Sequence, residues 1–169
     1  LPFPDVPGIT TYDDLHDAEL ARRMGQVIQA RMGKGDVAVN LNVTSLMTLA
    51  YALTGDEKYR DWVLTYVDAW QARAHANDGI IPDNVGLSGF VGEYLDGKWY
   101  GGLYGWVWPH GFFSVGAAVM VAACNATLLT GEAAASNIAR DLLDRIIALG
   151  ERRPFDPAMS LLVHFVGPL

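Results

Sequence analysis

Five aromatic residues, Trp99, Tyr100, Tyr104, Trp106 and Trp108, crowd into a stretch of ten that also holds three glycines. Asp83, Asn84, Glu93, Asp96 and His110 flank them. Aromatic faces beside fixed donors and acceptors suit sugars, whose axial C–H groups stack on a ring while their hydroxyls need polar partners. The glycines let backbone approach a ligand closely and take left-handed conformations. His110 sits between Pro109 and Gly111, just ahead of a long apolar run. A helix starting there would disfavour an imidazolium, so His110 reads as a neutral base or as a satisfied structural histidine. Asp83 and Glu93, or Asp83 and Asp96, could pair as acid and base, although spacing through a loop says nothing of their separation.

A segment this long without regular structure is uncommon in a compact domain, and its aromatics are the opposite of a disordered composition. Residues 75–111 are therefore expected to be a site loop. Alternation of Leu103, Gly105 and Val107 with Tyr104, Trp106 and Trp108 suggests a short strand within it.

The elements that must carry this loop read as helices. Thr11 and Asp14 suggest a capping box opening a helix to about Met32, with Leu15, Leu20, Met24, Val27 and Ile28 as its buried stripe and Gly33 as its stop. A second helix runs from Asn42 to Leu53 with Leu46, Leu49, Ala50 and Leu53 on one face. After Thr54-Gly55-Asp56 a third runs from Glu57 to Ala74, with Tyr59, Trp62, Val63, Tyr66, Val67 and Trp70 at helical spacing. Helices joined by so short a turn lie antiparallel. The pattern returns as a helix Phe112 to Leu129, the turn Thr130-Gly131-Glu132 and a helix Ala133 to Leu149, a repeat of about 76 residues. The fold class expected is all-α, a single domain over residues 1–169 made of antiparallel helical hairpins. The apolar ending from Met159 to Val166 suggests either a fragment of a larger protein or an unusually short member of its class.

Bulk properties exclude some functions. The net charge of −7 argues against a nucleic-acid partner, since no basic run could neutralise a phosphate backbone. The single cysteine, Cys124, reads as a small buried apolar residue, and no Cys/His spacing suggests zinc. No metal or other cofactor is called for. The run Phe112 to Leu129 lacks flanking cationic anchors and reads as a buried helix rather than a membrane span. No signal peptide is visible; a secreted or periplasmic location would follow if a leader had been removed. The sequons at Asn42 and Asn125 fall in expected helices and are discounted, as are His16, His75 and His164 as site residues.

The Thr-Gly-Asp turn and Tyr-x-x-Trp-x-x-x-x-Val helix of Leu53 to Val67, with the Asp-Gly-x-x-Pro loop of Asp78 to Pro82, resemble the helical-hairpin toroids, or (α/α)-barrels, of carbohydrate-active enzymes. The resemblance implies a partial or small toroid. It also implies an activity drawn from polysaccharide lyases of the heparinase and alginate-lyase kind, unsaturated glucuronyl hydrolases or terpene-processing enzymes. Complete toroids have about twice this many hairpins, so the rest of a larger chain or another subunit is an expected partner. The leading expectation is a polysaccharide lyase cleaving a uronate-containing glycan by β-elimination. Asn84 would neutralise the substrate carboxylate, His110 or Tyr104 would take the proton, and Tyr104 could protonate the leaving oxygen. Trp99, Tyr100, Trp106 and Trp108, with Asp83 and Glu93, would hold the sugar. A glycoside hydrolase, a terpenoid-type enzyme with an apolar pocket, and a non-catalytic helical scaffold are the alternatives.

Overall fold

A computed structural model describes residues 1, 3–32, 35–102, 104–106 and 111–150. These residues form five α-helices: α1 Ala18–Met32, α2 Thr44–Thr54, α3 Glu57–Ala76, α4 Phe112–Thr130 and α5 Asn137–Leu149. Two short strands, β1 Asp36–Val37 and β2 Asn84–Val85, pair antiparallel with Asp36 opposite Val85 and Val37 opposite Asn84. The chain is thus mostly helical. It divides into two compact units, residues 1–39 with 82–115 and residues 40–81 with 116 onward.

In the first unit the proline-rich lead-in is packed down rather than trailing. Phe3, Val6 and Ile9 are buried with Met24 of α1 and Leu95, and Leu15, Leu20, Val27 and Ile28 pack around them. Arg31 clamps the lead-in with two bonds to the Asp5 carboxylate, 2.8 and 2.6 Å, and lies over the Phe3 ring. The Thr11–Asp14 motif does not open α1. The Asp14 carboxylate accepts the N–H groups of Thr10 and Thr11 and closes a 3-10 turn, Asp13–His16. The helix proper starts at Asp17, whose carboxylate accepts the N–H groups of Glu19 and Leu20 and so satisfies two of the helix's orphan donors.

In the second unit α2 and α3 form the expected hairpin. Gly55, at φ 67°, supplies the left-handed residue that ends α2, and its N–H reaches the Tyr51 carbonyl at 2.8 Å. The Thr54 hydroxyl donates back to the Ala50 carbonyl and accepts the Asp56 N–H. The second turn copies this bond for bond. Gly131 has φ 71° with its N–H on the Thr127 carbonyl, while Thr130 donates to Ala126 and accepts from Glu132. The repeat is therefore one of turn chemistry as well as residue type. After the second turn a 3-10 segment, Ala133–Ser136, precedes α5, which lies against α3 with a hydrogen bond between His75 and Asp141 and an Arg145–Asp78 ion pair just beyond the end of α3.

Burial gives the α2 face its direction and overturns the expectation for Cys124. The leucine face of α2 points to solvent, and Thr44 and Thr48 are the buried residues of that helix. Thr44 is admitted inside because its hydroxyl finds partners: it donates to the Leu41 carbonyl at 2.7 Å and accepts from Asn125 at 3.0 Å, whereas the buried Thr48 hydroxyl has no hydrogen-bond partner among the described residues. Cys124 is exposed, not buried. Among the described residues α4 is long and apolar enough to cross a membrane, a test that core helices of soluble proteins also pass, and 39% of its apolar window is buried.

Candidate functional site

The aromatic segment is organised from below by one carboxylate. Pro82 to Gly86 is buried, and β2 pins its middle to β1, so Asp83 and Asn84 are set by backbone pairing rather than by side-chain preference. Residues 99–102 and 104–106 then fold over Asp83. The Asp83 N–H donates to the Trp99 carbonyl at 2.7 Å. Its Oδ2 accepts the N–H groups of Gly101 and Gly102 at 2.7 and 3.0 Å, and its Oδ1 accepts that of Trp106 at 2.8 Å. Gly105 passes so close that a methyl group there would land on the carboxylate. Asp83 is 1% exposed. Burial pushes its pKa up to about 6, against the pull of the three backbone donors, which favour the charged form.

The loop presents its rings unequally. Trp106 is buried and stacks on Phe112, while Trp99 and Tyr100 are half-buried and meet edge to face at 5.1 Å. Tyr104 is 48% exposed. It also sits at φ 57°, a conformation costing a non-glycine residue about 1–2 kcal/mol, just before Gly105, whose N–H turns back onto Gly102 at 3.2 Å. The surrounding lock on Asp83 makes that conformation tolerable, and it pushes the phenol outward.

Asn84 is 1% exposed, and neither atom of its amide has a hydrogen-bond partner among the described residues. It packs against Gly35, where a methyl group would collide with it. A group so covered touches no solvent-borne carboxylate, so the charge-neutralising part expected of it has no support in this geometry. Glu93 is exposed, and its carboxylate accepts both the N–H and the hydroxyl of Ser88, which holds it below the usual carboxylate range. It fastens the tight loop that Gly86 and Phe90 close at 2.9 Å. Asp83 and Glu93 thus occupy opposite environments, one buried beneath the loop and one at the surface. Asp96 lies exposed in a turn at φ 55°. Trp108 and His110 lie outside the described residues, as does Leu103; at residues 104–106 the segment makes a turn and not the expected strand.

What sequence reasoning missed were the glycines at 101, 102 and 105, which act through backbone N–H groups and through the absence of a side chain. Their density was visible; the Asp83 carboxylate that Gly101 and Gly102 donate to, 18 and 19 residues earlier, was not. Among the described residues no cluster of His, Cys, Asp and Glu could hold a metal ion.

A family model matches residues 1–165 of the chain. The chain belongs to the DUF8034 family. That family is described as a domain of unknown function, so membership carries no activity with it. No curated protein and no solved structure matches the DUF8034 chain. Its function must be argued from the site itself.

Proposed function

We propose that this DUF8034 protein is carbohydrate-active and holds an oligo- or polysaccharide on the outer face of residues 99–106. The observation that carries the reading is Tyr104, a half-exposed phenol kept in a left-handed conformation by a loop that a buried carboxylate locks. Strain retained beside exposed aromatics is spent where a side chain must be aimed. Trp99 and Tyr100, edge to face, offer a ring surface beside it. The Thr-Gly turn repeat supports the further reading that the helical hairpins are part of a toroid of the carbohydrate-active kind.

The reaction we assign is β-elimination on a uronate-containing glycan. In its phenolate form Tyr104 takes the proton from C5 and becomes the neutral phenol, and the electrons of that C–H bond form the C4–C5 double bond as the C4–O bond breaks. The same phenol then returns the proton to the leaving oxygen. Asp83 takes no part in the transfer; it positions the tyrosine. His110 stays a candidate base from sequence alone. Incubation with uronate-containing glycans should give a product with near-UV absorbance, abolished in Tyr104→Phe with binding retained. Elimination at full rate in Tyr104→Phe would remove the tyrosine from the mechanism.

A glycoside-hydrolase reading has one observation in its favour, the Asp83 carboxyl protonated up to about pH 6. It requires Asp83 to reach the ligand, and would release reducing sugar with no new double bond.

A further inference from the structure

Among the described residues of the first unit, one cation is left uncommitted. Arg22 is bonded to Glu19, Arg23 to the Pro7 carbonyl and Arg31 to both oxygens of Asp5. Lys98 is exposed, and its ammonium has no hydrogen bond or ion pair among the described residues. It acts on Asp5 through space alone, at a carboxylate that Arg31 already occupies. Lys98 is also the sole lysine or arginine from Pro82 to Val115.

The backbone that builds the aromatic segment also places this charge. The Lys98 N–H donates to the Leu95 carbonyl at 3.0 Å, and Gly92 passes so close that a methyl group there would land on the Lys98 carbonyl. The next residue, Trp99, offers its carbonyl to the Asp83 N–H, and Trp106 donates its N–H to the Asp83 carboxylate. One residue therefore draws both ends of the segment together. Lys98 adjoins one anchor, and Tyr104 lies two residues from the other.

We propose that Lys98 pairs with the carboxylate of a uronate sugar held on residues 99–106, and so selects acidic over neutral glycans. This assignment rests on the reading of that segment as a sugar platform. A chain of net charge −7 repels a polyanion overall, so recognition of an acidic glycan needs a local positive charge. Asn84, the partner first expected for that carboxylate, is covered. An ammonium is a compact charge on a flexible stem, so it can follow the carboxylate while the ring stays on the aromatics. The carboxylate is carried by C5, the carbon that loses its proton in the elimination, and a cation beside it supports the charge that builds there.

Tryptophan fluorescence titrations of the whole chain with galacturonate, guluronate and mannuronate oligomers, and with their methyl esters, test the pairing from both sides. The native chain should bind the acid form of one oligomer about two- to fivefold more tightly than its ester, the range of an exposed ion pair. Lys98→Gln should lose that factor on the acid form and nothing on the ester, and Lys98→Arg should keep it. At about 1 M salt the preference should vanish. Acid and ester bound alike by the native chain, an acid preference that survives Lys98→Gln, or a variant that weakens both forms equally each overturns the assignment. In those cases a loss of affinity in Trp99→Ala leaves the platform reading standing. No binding of any oligomer overturns both.

Discussion

Replacing Asp83 with asparagine separates the charge of the buried carboxyl from its shape. In the folded chain the Asp83 pKa is raised from 3.8 to about 6, with burial as the largest cause. A folded-state pKa above the unfolded one means that the native state binds the proton more tightly. Its contribution is therefore most favourable below about pH 4 and declines as pH rises to about 6, and it is flat beyond. The shift corresponds to about 3 kcal/mol between the two limits. Asp5, Asp14, Glu19, Asp56 and Glu93 act in the opposite sense, because their pKa values are lowered and the stability they add is lost on acidification. The wild-type profile sums both kinds, so the informative quantity is a difference. Denaturant midpoints of wild type and Asp83→Asn, measured from pH 4 to pH 8, should diverge in the variant's favour by up to about 3 kcal/mol between pH 4 and 6, on top of a constant offset. The offset is unfavourable, since one of the acceptors for Gly101, Gly102 or Trp106 becomes an amide donor. A pH-independent difference, or one that widens against the variant as pH rises, would refute the argument that desolvation outweighs the three backbone donors.

Gly105→Ala should cost about 2–4 kcal/mol and shift tryptophan emission to the red, because its methyl group displaces the carboxylate that seats Trp106; denaturation and emission spectra check both. Asp17→Ala should lower stability by about 1 kcal/mol through loss of the α1 cap, whereas Asp14→Ala should leave α1 intact; thermal unfolding compares them. His75→Ala should change stability by less than about 1 kcal/mol, since its pairing with Asp141 is exposed, and a larger loss by denaturant unfolding would show a role beyond that pairing.

Some of this was legible in the residues and some was not. The spans of α3 and α4 follow from unbroken runs of helix-compatible residues bounded by Thr-Gly turns, and the structure ends each within two residues of its expected place. The α2 row Leu46, Leu49, Leu53 was found by its periodicity, which left its direction open. Spacing identifies a face but does not say whether anything covers it, and Thr44, with its backbone and Asn125 partners, and Thr48 take the interior instead. The start of α1 was misplaced for a related reason: Thr11 and Asp14 do make a capping motif, but it serves a 3-10 turn, while the less conspicuous Asp17 caps the helix. At the site, the aromatic and glycine content pointed to a built loop. The part played by Asp83 stayed hidden because its partners are main-chain N–H groups, which sequence does not distinguish, brought near by the pairing of β1 with β2. Glu93 was hidden likewise, its Ser88 partner lying across a tight turn.

The most direct test of the central claim is a titration of the protein with uronate-containing and neutral glycans, followed by intrinsic tryptophan fluorescence. Residues 99–106 being the sugar platform, one glycan class should give a saturable shift that Tyr104→Ala and Trp99→Ala each weaken at least tenfold while far-UV circular dichroism stays unchanged. No response to either class, or full affinity in both variants, would contradict the assignment of this segment to carbohydrate.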